Sequence, residues 1–178
     1  MKTRKKPLEQ YLHHEINDEE HIQGYLDEAL PLVGEVVMTF NGLESDLNSL
    51  LCEHINDRTD TAGLLILHKL SYATKVDLLK RFCDDFHLTL KSTPESYSNL
   101  IEELKVVGKL RNIIVHADWE NTEEDGYTYV SLKISNKGLE QEYKQLTQDS
   151  LENVVERIEA ARQQLGVYWE KKSQLIYK

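Results

Sequence analysis

The sequence predicts an all-α chain: a bundle of about four to five helices with one small β-hairpin inserted before the last helix. Three observations carry this. Apolar residues recur at three- and four-residue steps over most of the 178 residues, which marks one face of each helix. The period switches to alternation only in one stretch, YTYVSLKIS-NKG-LEQEYKQLT, where the turn residues sit between two alternating runs. Helix-capping residues stand at the boundaries that the periodicity leaves.

In chain order, residues 1–17 read as a flexible basic and polar lead, and 18–178 as a single domain. A long helix follows, with Leu32, Val36, Phe40, Leu43, Leu47, Leu50 and Leu51 as its stripe and Pro31 near its start, where a missing N–H is tolerated. INDRTDT is a turn cluster. A helix or helix pair runs from Ala62 to about Phe86, with Ser71 placed to restart it as a cap. Ser92-Thr93-Pro94-Glu95 reads as a turn, an N-cap and a proline at the first helical position; the helix it opens runs to about His116. ENTEEDG is a polar loop, the hairpin covers about 127–146, and Thr147 caps a final helix to about Leu175.

Composition excludes several classes of function. The chain has 21 Lys plus Arg against 31 Asp plus Glu, a net charge of −10, which argues against a protein that coats nucleic acid and needs a basic surface to release counterions. The deficit is uneven: residues 9–62 carry −12, whereas 63–116 carry +2. No apolar stretch is long enough to span a bilayer, and the basic start is followed by no apolar signal region, so a cytoplasmic protein is expected. Cys52 and Cys83 form no CxxC or metal spacing and read as buried reduced thiols. His13, His14 and His21 lack the set spacing of a metal site, His54 and His68 read as surface or cap groups, and no glycine pattern marks a phosphate loop. No cofactor or metal is expected.

The informative segment is 100–119, LIEELKVVGKLRNIIVHADW. On a wheel of about 100° per residue, Leu100, Leu104, Val107 and Ile114 share one arc, extended by Leu110, Val106 and Ile113. Lys105, Lys109, Asn112 and His116 share the one polar sector. Gly108 suits close helix packing. Arg111 falls inside the apolar arc, where a guanidinium needs a carboxylate or a bound anion. One reading is a structural ion pair, for instance with Glu44. The other is an anion site: Asn112 and His116 stack four residues apart, Lys105 and Lys109 continue the ridge, histidine moves protons near neutrality, and arginine grips phosphate oxygens with a fork of donors. Trp119 just beyond either caps the helix end or stacks a base.

Arg111-Asn112-Ile113-Ile114-Val115-His116, near the end of an apolar helix, resembles the R-x(4–6)-H signature of the HEPN superfamily, in which a polar residue often follows the arginine. The resemblance covers roughly residues 27–118 plus the final helix. It implies a metal-independent endoribonuclease of a toxin or phage-defence type, working as a homodimer whose two motifs face a shared cleft. Arg111 would bind the scissile phosphate, His116 would act as general acid or base for attack by the ribose 2′-OH, and Asn112 would orient the phosphate or the histidine. Lys105 and Lys109 would assist in substrate binding. An acidic residue on an earlier helix would support the arginine; Glu44 is the candidate, with Asp46 and Glu35 as competitors. Partners would be RNA and, in such a system, an antitoxin or a nucleotidyltransferase, with no membrane. The alternative implied is a non-catalytic HEPN-like module for dimerisation or for binding a nucleotide or partner.

Overall fold

A computed structural model describes residues 1–8, 19–56, 58–123, 125–136 and 138–176. Among these the order is β1 (Thr3–Pro7), α1 (Glu19–Ile55), α2 (Thr61–Leu67), α3 (Tyr72–Leu90), α4 (Ser96–Val115), β2 (Asp118–Thr122), β3 (Tyr127–Ser135), β4 (Gly138–Gln145) and α5 (Gln148–Ile176). The chain is therefore mostly helical, but the all-α class needs correction. The expected hairpin is the centre of a four-stranded antiparallel sheet of order β1-β4-β3-β2.

Two compact units share the chain: Met1–Val37 with Leu110–Val155, and Met38–Lys109 with Glu156–Lys178. The first holds the sheet. β3 and β4 pair antiparallel, with Ser135 opposite Gly138, Ile134 opposite Leu139 and Tyr129 opposite Tyr143. Both outer strands escaped the sequence reading. The segment expected to be a flexible lead is partly β1, with Arg4 opposite Tyr143 and Lys6 opposite Gln141. Residues 9–17 of that lead, including His13 and His14, lie outside the described residues; His21 is on α1.

Side chains explain why so basic a strand docks. Arg4 and Lys6 both donate to the Glu123 carboxylate. The Arg4 guanidinium also lies 3.8 Å from the Tyr127 ring centroid, and Lys6 lies 5.4 Å from that of Tyr143. Cation–π contact and charge pairing thus replace the apolar alternation that marks an ordinary strand. Lys5 and Pro7 stand on the outer edge, both residues that discourage further strand pairing. The expected polar loop is likewise partly β2, joined to β3 by a tight turn in which Gly126 N–H donates to Glu123 C=O at 2.8 Å. Gly126 has φ +73°, and a Cβ there would lie 3.1 Å from the Tyr25 ring, so the position requires glycine. Tyr25 donates to the Leu146 carbonyl, and burial pushes its hydroxyl up to about 12. The buried hydroxyls of Thr122 and Thr128 satisfy each other at 3.1 Å.

The second unit is helical. On α1 the predicted stripe is buried at Val36 in the first unit and at Phe40, Leu43, Leu47, Leu50 and Leu51 in the second. The helix begins well before Pro31, which lies inside it and not near its start as expected. Ser71 caps α3 as expected, its hydroxyl accepting from Thr74 N–H at 3.2 Å. In the first unit Thr147 does the same for α5, accepting from Ser150 N–H at 3.3 Å. The proline of the 92–95 turn is not the first helical residue: α4 starts at Ser96, and the Pro94 carbonyl accepts from Tyr97 N–H at 3.0 Å. Gly108 provides the expected close packing, because the Tyr72 ring sits against its backbone. Cys52 and Cys83 are buried free thiols, and burial pushes both up.

Candidate functional site

α4 is helical because its apolar residues follow a period of 3.6 without a proline or β-branched run in its first turns. Its last turns, in the first unit, carry Arg111 and Asn112, and His116 follows the helix directly. Ile114 is fully buried there, whereas Asn112 and His116 are exposed and Arg111 is half-buried. Arg111, expected inside the apolar arc, is thus only partly buried. Arg111 Nη1 donates to Asn112 Oδ1 at 3.1 Å. Consecutive helix residues do not ordinarily face each other; the long arginine stem makes the reach. The His116 amide donates to the Asn112 carbonyl at 3.1 Å, so one further turn of backbone sets the imidazole after Asn112.

The end of that turn is fixed by Trp119. Its indole N–H donates to the Ile114 carbonyl at 3.0 Å, satisfying one of the acceptors that a helix C-terminus leaves open. Trp119 therefore does the capping job of its two expected ones. In the loop beyond it, Glu123 is taken up by Arg4 and Lys6, and Asp125 lies 3.6 Å from Arg4. The basic partner of this acidic turn is the chain's own first strand.

Of the other predicted site residues and candidates, all but Glu35 lie in the second unit. Glu44 accepts from the buried Lys75 at 2.7 Å. Asp46, a competing support for the arginine, is held by Arg162 at 2.6 Å. Glu35, the third competitor, is exposed on α1 in the first unit. Lys105 lies 3.4 Å from Asp77, and Lys109 is exposed. The structure thus pairs Arg111 with Asn112, leaves His116 one turn beyond Asn112, and gives Glu44 and Lys105 partners of their own.

A polar cluster that the sequence reading missed occupies the second unit. His54 is not a surface or cap group: it is half-buried, stacked on Phe82 at 4.9 Å. Lys172 is buried beside it. The signal was present, since Lys172 continues the buried α5 series Ile158, Ala161, Leu165 and Tyr168 at steps of three and four. His87 is also buried, 3.0 Å from the Tyr168 hydroxyl. Tyr97 donates to Asp84 at 2.8 Å. Hydrogen bonds from Lys80 and Tyr97 hold the Asp84 carboxyl below its usual range.

Among the described residues no group of three or more His, Cys, Asp and Glu is placed to hold a metal ion, and no helix is long and apolar enough to cross a membrane. No family model, curated protein or solved structure matches the chain.

Proposed function

We propose that the chain is a HEPN-like, metal-independent endoribonuclease of a toxin or phage-defence type, acting in the cytoplasm. One observation supports this above the rest: an exposed histidine one turn from a hydrogen-bonded Arg–Asn pair, at the capped end of an apolar helix. In this reading His116 takes the proton of a ribose 2′-OH as the oxygen attacks the adjacent phosphorus. Arg111 stabilises the extra negative charge of the five-coordinate phosphorane, and Asn112 holds the arginine or a phosphate oxygen in place. The 5′-oxygen leaves with a proton, and the products are a 2′,3′-cyclic phosphate and a 5′-hydroxyl. A second copy of the chain completes the cleft, with its own motif supplying the opposite proton transfer. An antitoxin or a nucleotidyltransferase would be the natural protein partner.

The chemistry needs the 2′-hydroxyl, so DNA of the same sequence must be inert. The test is to incubate wild type and His116→Ala with structured RNA in EDTA. Wild type should cleave, and the variant should be slower by about 100-fold or more, the usual contribution of a general acid or base. Equal cleavage by both proteins refutes the assignment of His116. No cleavage by wild type favours the non-catalytic binding module.

A further inference from the structure

The second unit buries a cation without a carboxylate against it. Lys172 is 5 % exposed, and among the described residues no acidic group lies within ion-pair distance of its ammonium. Its Nζ instead lies 2.6 Å from His54 Nε2, 4.4 Å from the Trp169 ring centroid and 4.8 Å from that of Phe86. His54 stacks on Phe82, its ring 7° from parallel, and meets Trp169 edge-on at 5.1 Å. Nζ is also 3.4 Å from His54 Nδ1, so the ammonium sits against the imidazole ring and between two aromatic rings, which replace the water it loses on burial.

This contact is sound only while His54 is neutral. A neutral imidazole sets no charge against the ammonium beside it; a protonated one is a second cation within 3.4 Å of it at both ring nitrogens. We propose that the His54–Lys172 contact is an acid-released latch for the C-terminal turns of α5: protonation of His54 sets two cations against each other and expels the Lys172 ammonium, together with Trp169, from its packing against α1 and α3.

The surrounding groups do not cancel that repulsion. From α1, Glu53 acts favourably on Lys172, but it is exposed and screened by water. From α3, Cys83 is a buried thiol that stays neutral in acid. His87 stands near enough to feel the Lys172 charge and can only add another positive one, while Asp84 acts on His87 and Cys83. From α5, Tyr168 is a neutral phenol. Burial and the Lys172 charge together push His54 down to about 4. The sign follows directly. A histidine held neutral by the fold contributes stability above its ordinary value, and that stability is lost as pH falls from there through about 4. The latch is closed at neutral pH and opens in acid.

The test uses the full chain with Trp119→Phe, which leaves Trp169 as the single indole of the two in the sequence. Its fluorescence is followed from pH 7 to pH 3, with circular dichroism recording helix content. The expected result is an emission change centred between about pH 4 and 5 with helix content largely retained. The change should be absent in His54→Phe, which lacks the titrating ring, and in Lys172→Met either absent or displaced upward, because the charge that helps hold His54 down is gone. His54→Phe keeps the ring stack on Phe82 if Lys172→Met fails to fold. A transition that persists unchanged in position and size in Lys172→Met does not arise from the His54–Lys172 pair and overturns the latch. So does an unchanged transition in His54→Phe, or a wild-type emission that stays flat to pH 3.

Discussion

Gly108→Ala tests whether the close approach within the second unit sets stability. A Cβ at this position would lie 2.6 Å from Tyr72 Cε1 and 2.8 Å from Cδ1, about 1 Å inside ordinary carbon–carbon contact. The ring cannot swing away cheaply. Its hydroxyl donates to the Leu104 carbonyl at 3.0 Å, and the Phe40 ring stands 4.6 Å away, centroid to centroid. Overpacking of this kind costs about 1–3 kcal/mol, and a lost or stretched hydrogen bond adds about 1 kcal/mol. Replacing glycine within a helix returns about 1 kcal/mol. The net expectation is destabilisation by roughly 2 kcal/mol, or a fall in Tm of about 4–8 °C for a chain of this size. Urea unfolding followed by circular dichroism measures it. The sign should reverse in a Tyr72→Ala background, where the ring is gone and only the helix gain is left, a signature of direct coupling. Gly108→Ala at or above wild-type stability, or an equal loss in both backgrounds, refutes the packing argument.

Two further outcomes follow from the same reading of individual contacts. Ser71→Ala removes the cap that accepts from Thr74 N–H and should cost about 1 kcal/mol in urea unfolding, with Ser71→Asp close to wild type. Arg4→Gln with Lys6→Gln removes both donors to Glu123. Amide exchange in β1 should then rise by about tenfold or more, while Lys5→Gln, on the outer edge, should leave it unchanged.

How far the sequence reveals this molecule depends on how local each cause is. The α1 stripe is legible because Val36, Phe40, Leu43, Leu47, Leu50 and Leu51 are buried by the very periodicity that predicts them. Ser71 and Thr147 are legible because a cap acts within one turn. The β3–β4 hairpin is legible because its alternation and turn are contiguous. β1 is not, because TRKKP becomes a strand only through Glu123, Tyr127 and Tyr143, more than a hundred residues away. β2 reads as a loop for the same reason: DWENT has no apolar alternation, and its place beside β3 is fixed by the Gly126 turn. Asn112 and His116 are legible as a pair, since a spacing of four puts them one turn apart, and the Arg111–Asn112 contact is between neighbours in sequence. The partners of Glu44, Asp46 and Lys105 are not, because each comes from another helix. Lys172 is the instructive miss: its position in the α5 stripe signals burial, but its charge invites a surface reading.

The most direct measurement is the identity of the RNA ends left by the protein in EDTA, for wild type and for folded Arg111→Ala and His116→Ala. We expect 2′,3′-cyclic phosphate and 5′-hydroxyl ends from wild type, and about 100-fold fewer from either variant. Products bearing 5′-phosphate ends, or cyclic ends formed equally by all three proteins, would contradict a 2′-hydroxyl attack organised by Arg111 and His116.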